Sequence, residues 1–136
     1  MTTKEFLQQA YIAHKEVGIK LEQIETLQAL ATRTTTVIKD VPAGRPTTDS
    51  RVESAVVLIY EQIDRLEDEV SRLIEVTKKI AATIATVKNP IERTILEYRY
   101  LCFYSWQEIA RMMRSSLRKV YWIHERALKN FSSPLQ

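Results

Sequence analysis

The sequence predicts an all-α protein, because turn residues are scarce, helix-start signals recur and apolar residues follow helical spacing. The 136 residues include two glycines and four prolines, too few for a β-sandwich that turns about every ten residues. Asn89 followed by Pro90 is a typical helix start, since asparagine caps well and proline tolerates the first helical position. Paired hydroxyl and glutamate residues of the capping-box type predict three more starts, at Thr2/Glu5, Ser50/Glu53 and Ser105/Glu108.

Two long helices joined by a loop are predicted over residues 1–88. The first should run from about Thr3 to about Ala31, because the threonine-rich stretch that follows contains stiff β-branched residues that form helices poorly. Two prolines and a glycine predict a loop over residues 40–50. The second helix should then run from about Arg51 to Lys88.

The second helix carries a heptad seam. Alternating steps of four and three residues from Val52 to Val87 meet apolar side chains at every position but Thr77, a spacing typical of coiled coils. The first helix should fold back on the seam as an antiparallel hairpin, and an uncovered remainder would favour a homo-oligomer. A closed hairpin without self-association is the alternative. The predicted seam residues are Val56, Ile59, Ile63, Leu66, Val70, Leu73, Ile80 and Ile84.

Charge is distributed unevenly along the chain. Residues 1–87 carry 11 Lys/Arg and 13 Asp/Glu, a net charge of −2, whereas residues 88–136 carry 9 and 4, a net charge of +5. A local excess of cations attracts polyanions and is a common footprint of nucleic-acid binding. The alternative is a solvated basic face that has no partner.

Three short helices are predicted after Asn89, the first ending near Phe103, the second from Trp106 to about Met113 and the third from Leu117 to about Phe131. A short helix, a tight turn and a second helix with a basic outer side are typical of a DNA-binding helix-turn-helix. Residues 89–136 should therefore form a DNA-binding domain and residues 1–88 an assembly region. A plain three-helix bundle is the alternative.

Three short sequence segments in this region resemble segments of known proteins. Tyr98-Arg-Tyr-Leu101, Ser105-Trp-Gln-Glu-Ile-Ala110 and His124-Glu-Arg-Ala-Leu128 resemble region 4 of bacterial sigma factors. The resemblance is closer to small phage regulators of late genes, of the ArpU and RinA type, and covers about residues 90–131. It implies a phage or prophage transcriptional regulator that activates late genes in the cytoplasm of a bacterial host, with double-stranded DNA and host RNA polymerase as partners.

The resemblance also implies roles for individual residues of the last helix. Ser116 would cap it, and Lys119, Arg126 and Lys129 would approach the DNA backbone. Arg114 belongs to the turn, where the family usually has glycine, so an altered turn is expected there. The positions that face bases or nearby phosphates are Leu117, Arg118, Tyr121 and Trp122.

Other function classes find little support in the sequence. One cysteine and two histidines exclude an internal disulfide and argue against a Cys/His zinc site, and neither a cofactor nor a catalytic set is predicted, so the protein should not be an enzyme. No apolar run reaches the roughly 18 residues of a membrane span. Trp106 is expected in the core. A small terminase-like packaging protein and a protein-interaction module remain as alternative functions.

Overall fold

The computed structural model describes the backbone of residues 1–40 and 46–131, and the side chains of residues 1–36 and 50–131. All regular structure within these ranges is helical, which confirms the prediction of an all-α protein. The helices are α1 (Thr3–Asp40), α2 (Pro46–Ala85), α3 (Pro90–Tyr100), α4 (Trp106–Met112) and α5 (Leu117–Asn130).

The threonine-rich segment continues α1 to Asp40, so the prediction that this helix ends near Ala31 is wrong. Four threonine hydroxyls in the segment donate hydrogen bonds of 2.8–3.0 Å to the carbonyls four residues earlier. A threonine side chain can make this bond without interrupting the helix. The hydroxyls are therefore satisfied inside the helix, although the residues favour helix weakly.

Helix α2 begins at Pro46, five residues before the predicted start. Proline suits the first helical turn because its missing N–H is unpaired there in any residue. Ser50 lies inside the helix, so the capping box predicted at Ser50 is wrong, as is a loop extending to residue 50. The rest of the predicted loop, residues 41–45, lies outside the described part of the chain.

Residues 16–72 form one compact unit, in which α1 and α2 run antiparallel, since Lys20 lies beside Glu69 whereas Ile24 packs with Ile63 and Leu66. Lys20 Nζ lies 2.8 Å from Glu69 Oε2, and this hydrogen-bonded ammonium lowers the pKa of the Glu69 carboxyl. The buried apolar cluster of this unit is small. It consists of Ile24, Ile63 and Leu66, with Leu27, Ile59 and Val70 partly buried around them.

Residues 1–15 and 73–136 form the second compact unit. Its larger cluster joins the first turns of α1 to the last turns of α2 and to the C-terminal helices, and the rings of Phe6 and Phe131 lie 6.1 Å apart. The boundary at residue 88 stays a prediction, since both long helices contribute to the core beneath α5. The buried members of this cluster are Phe6, Leu7, Ala10, Ile80, Ile84, Val87, Leu96, Tyr100, Ala127 and Phe131.

A second cluster in the same unit holds α3, α4 and α5 together, because each of these helices packs on the other two. Tyr98, Tyr104, Trp106 and Met113 are partly buried at its edge. The buried members are Ile95, Ile109, Ala110, Val120 and Ile123.

We expect Ile84→Ala to lower the free energy of unfolding by about 2–5 kcal/mol, because it leaves a cavity in the larger cluster. Ile74→Ala is the matched control: Ile74 lies on the same helix but is 46% exposed, so its loss should cost less than about 1 kcal/mol. Urea unfolding followed by circular dichroism measures both. Equal losses in the two variants would contradict this assignment of the core.

Candidate nucleic-acid interface

Local hydrogen bonds fix the starts of both helices in the C-terminal helix-turn-helix. Ser105 Oγ accepts the Glu108 N–H, and the Ser105 N–H donates to Glu108 Oε1, both at 3.2 Å. The backbone of Ser105 thereby lowers the pKa of the Glu108 carboxyl. Ser116 Oγ accepts the Lys119 N–H at 3.1 Å. The structure thus confirms the capping box at Ser105 and Ser116 as the N-cap of α5.

One residue of the turn between α4 and α5 adopts the left-handed backbone conformation, although the turn contains no glycine. Arg114 has φ of 52°, where a side chain costs about 1–2 kcal/mol. Two hydrogen bonds hold it there: the Arg114 N–H donates to Arg111 O at 3.2 Å and the Ser115 N–H donates to Ala110 O at 3.0 Å. This is the Schellman arrangement. The altered turn expected from the missing glycine is therefore not formed.

Helix α5 divides into a buried face and a basic outer face. Val120, Ile123, His124 and Ala127 point inward, as the sequence pattern requires of a helix packed on one side. Two aromatic rings on the outer face are exposed, Tyr121 by 44% and Trp122 by 58%. The exposed predicted site residues of the turn and of α5 are Arg114, Ser116, Leu117, Arg118, Lys119, Tyr121, Trp122, Arg126 and Lys129.

A buried hydrogen bond of 2.8 Å joins Tyr100 of α3 to His124 Nε2 of α5. Burial raises the pKa of the Tyr100 hydroxyl to about 12 and lowers the pKa of His124 to about 4, so both groups are neutral at pH 7. The other ring nitrogen, Nδ1, faces Glu125 Oε1 at 3.9 Å, which favours the proton on Nδ1. In that tautomer the Tyr100 hydroxyl donates to Nε2.

Trp106, the first residue of α4, lies half-buried among three side chains. Its ring centroid is 4.6 Å from that of His124 and 5.2 Å from that of Tyr121, both edge-on. The Arg99 guanidinium lies 4.6 Å from the same ring and donates to Tyr104 O at 3.0 Å. Trp106 packs against the cluster that joins α3, α4 and α5 but lies at its edge and not in the core as expected, and it also contacts Tyr121 on the outer face of α5.

A buried carboxylate, Glu92, is a feature that the sequence pattern did not reveal. The side chain of Asn130 donates to Glu92 Oε1 at 3.3 Å, and Arg126 Nε lies 3.6 Å from the same oxygen. Arg126 also lies 5.1 Å from the centroid of the Trp122 ring. Arg126, assigned by the resemblance to the DNA backbone, therefore compensates a buried charge inside the protein, which would be costly alone.

The described residues contain neither a metal-ligating cluster nor a membrane-spanning helix. These residues include no group of three or more His, Cys, Asp and Glu side chains that could hold a metal ion. No helix among them has the length and apolar character needed to cross a bilayer. The His14 ring of α1 stacks on the Phe103 ring, with centroids 4.3 Å apart. This contact gives His14 a packing role.

The fold and the site define an all-α protein with a C-terminal helix-turn-helix whose second helix is basic on its outer side. Comparison of the chain with protein-family models, with curated proteins and with solved structures found no match.

The pKa of His124 predicts a stability loss in mild acid. The unfolded imidazole takes up a proton near pH 6.5, whereas the folded one resists until about pH 4, so the unfolded state binds more protons between these values. Stability should fall by up to about 3 kcal/mol as the pH decreases through this window. Urea unfolding at several pH values measures it.

His124→Gln is the control, because glutamine keeps a hydrogen-bonding group near Tyr100 but has no titrating proton. Its stability should change less between pH 6.5 and 4 than that of the wild type. Carboxyl groups with lowered pKa values, such as that of Glu108, contribute the same pH dependence of stability to both proteins. An identical pH dependence in the two proteins would show that His124 is not the titrating group.

Proposed function

We propose that the protein is a transcriptional regulator that binds double-stranded DNA sequence-specifically, with α5 as its recognition helix. The observation that carries the proposal is the capped α5, whose apolar face is buried while Arg118, Lys119 and Lys129 lie exposed on its outer side. A single helix with cations and polar groups near its start suits entry into the major groove. The protein acts by binding rather than catalysis and uses no cofactor.

The opposite net charges of the two compact units support different roles for them. Residues 16–72 carry seven Lys/Arg and eleven Asp/Glu, a net charge of −4, whereas residues 1–15 and 73–136 carry 13 and 6, a net charge of +7. Phosphate contacts dominate DNA affinity, so DNA binding belongs to the unit that contains α5. The acidic unit is suited to protein contacts.

Within α5 the cations divide into two roles. Arg118 lies in the first turn, where recognition helices contact base edges, and arginine offers two parallel donors to guanine. Lys119 and Lys129, together with Arg114 in the turn, would contact phosphates. Arg126 is engaged by Glu92 and Trp122, so we assign it to holding the Trp122 ring and not primarily to DNA.

The resemblance to phage late-gene regulators supplies the biological setting of the proposal. Such a protein would act in the cytoplasm of a bacterial host, activate late promoters and contact host RNA polymerase. Loss of late transcripts on deletion of the gene would support this setting. Intact late transcription with failed genome packaging would favour the terminase-like alternative instead.

Self-association through residues 16–72 is part of the proposal. The buried cluster of this unit has few members, while Val57, Leu58 and Tyr60 of α2 are each more than half exposed. Ile19 and Leu21 of α1 are likewise more than half exposed. A homo-oligomer would cover such side chains, and dimeric helix-turn-helix proteins bind two half-sites at once.

Two alanine variants separate base reading from phosphate binding. Arg118→Ala should weaken binding to a selected site by about 1–3 kcal/mol and relax preference at one base pair. Lys129→Ala should weaken binding to all sequences alike and reduce the salt slope by about one. Selection of bound genomic fragments, followed by anisotropy titrations at several salt concentrations, measures both effects.

Lys78→Ala is the matched control, because it removes an exposed lysine of α2 and leaves α5 intact. Its affinity and specificity should equal those of the wild type. Wild-type binding by folded Arg118→Ala would contradict the groove assignment. Absence of any DNA binding at low salt would overturn the proposed function and favour an acidic protein as the partner of the basic face.

The joint variant Leu58→Ser with Tyr60→Ser should lower the mass of the protein in solution, because it makes an exposed apolar patch polar without touching the buried Ile63. Ile74→Ser, which alters an exposed residue in the other compact unit, should keep the wild-type mass. Analytical ultracentrifugation measures the mass, and circular dichroism checks that each variant is helical. A monomeric wild type would refute the self-association.

A further inference from the structure

Tyr121 is an exposed side chain of α5 whose ring is held from one side by another aromatic ring. The Trp106 ring meets it edge-on, with centroids 5.2 Å apart, and the ring is nevertheless 44% exposed. Aromatic pairs in this geometry contribute about 0.5–1.5 kcal/mol beyond the area they bury. Tyr121 therefore presents a partly fixed apolar surface in the second turn of α5.

The Trp106 ring, which contacts Tyr121, is held in turn by contacts with other residues. Trp106 follows the Ser105 cap directly, its ring meets the buried His124 edge-on, and the Arg99 guanidinium lies over it. The resulting row of side chains runs from α3 through α4 to the outer face of α5. The orientation of Tyr121 is thus set by Trp106, which is partly buried at the edge of the core and packs against the buried His124.

The major groove offers few apolar partners to such a ring. The edges of the base pairs present hydrogen-bond donors and acceptors, and the C5-methyl group of thymine is the apolar exception. An aromatic ring in the first two turns of a recognition helix therefore finds its best complement in thymine. The Tyr121 hydroxyl could instead bond to a phosphate, and that contact would carry no sequence information.

We propose that Tyr121 contacts a thymine C5-methyl group in the major groove and that Trp106 is the positioning residue that holds the ring for this contact. The inference rests on the proposed function, since it assumes that α5 enters DNA. It adds a second specificity determinant to Arg118. The bound site should accordingly contain a thymine within the few base pairs that the first two turns of α5 can reach.

Deoxyuridine tests the contact directly, because it differs from thymidine only in lacking the C5-methyl group. Each thymine of the selected site is replaced in turn, and binding of the full chain is measured by fluorescence anisotropy. For the wild type, one replacement should weaken binding by about fourfold, the value expected for one buried methyl group. Tyr121→Ala should bind the thymine and uracil sites equally.

Further variants identify which part of the Tyr121 side chain makes the contact and test whether Trp106 positions it. Tyr121→Phe should keep the thymine preference, because the ring and not the hydroxyl makes the contact. Trp106→Leu should lose the preference although Tyr121 is present, and it should keep the salt slope, because no phosphate contact changes. Trp106→Phe should restore the preference. Ile91→Ala, which removes an exposed apolar residue of α3, should behave as the wild type.

The outcomes separate this inference from the proposed function. Equal binding of thymine and uracil sites by the wild type, with Arg118→Ala and Lys129→Ala weakened as expected, overturns the Tyr121 contact and leaves the DNA-binding function standing. Loss of the preference in Tyr121→Phe would show that the contact requires the hydroxyl, which overturns the claim that the ring makes it. Absence of DNA binding removes both proposals. If Trp106→Leu does not fold, Trp106→Phe and the Tyr121 variants decide the question.

Discussion

The hydrogen bond between Tyr100 and His124 is the constraint on which the geometry of the C-terminal helices depends. It joins α3 to the inner face of α5 in a buried site, where an unpaired polar group would cost about 1–3 kcal/mol. Both partners stay neutral at pH 7 because burial disfavours their charged forms. Together with the buried apolar face of α5, the bond fixes the rotation of α5 about its axis and with it the choice of residues that face outward.

In the unit formed by residues 1–15 and 73–136, some cationic side chains make contacts within the protein and others remain exposed. Arg99 is held by the Tyr104 carbonyl and the Trp106 ring, and Arg126 lies beside the buried Glu92. These two arginines support aromatic rings, whereas Arg118 and Lys129 stand on the exposed side of α5. Counting positive charges along the sequence does not separate these roles, because the separation comes from contacts between distant residues.

The two long helices contribute to the core beneath α5. The first turns of α1 and the last turns of α2 bury Leu7 and Ile84 in the same cluster as Ala127 and Phe131 of the C-terminal segment. The core of the helix-turn-helix is therefore completed by chain segments that are far apart in sequence. A change in the first turns of α1 or the last turns of α2 would reach α5 through direct packing.

Local signals in the sequence determined the all-α class, the cap at Ser105, the helix start at Asn89 and the two faces of α5, because capping and hydrophobic spacing act within a few residues. The cap at Ser116 was expected from the resemblance. The helical Thr32–Thr36 segment and the start at Pro46 were missed because weak propensities are overridden by hydrogen bonds and neighbouring turns. Only the tertiary structure placed Glu92 beside Arg126, Tyr100 on His124 and Trp106 on Tyr121. Such pairings depend on how α3, α4 and α5 pack, and hydrophobic periodicity does not specify which polar and aromatic side chains meet.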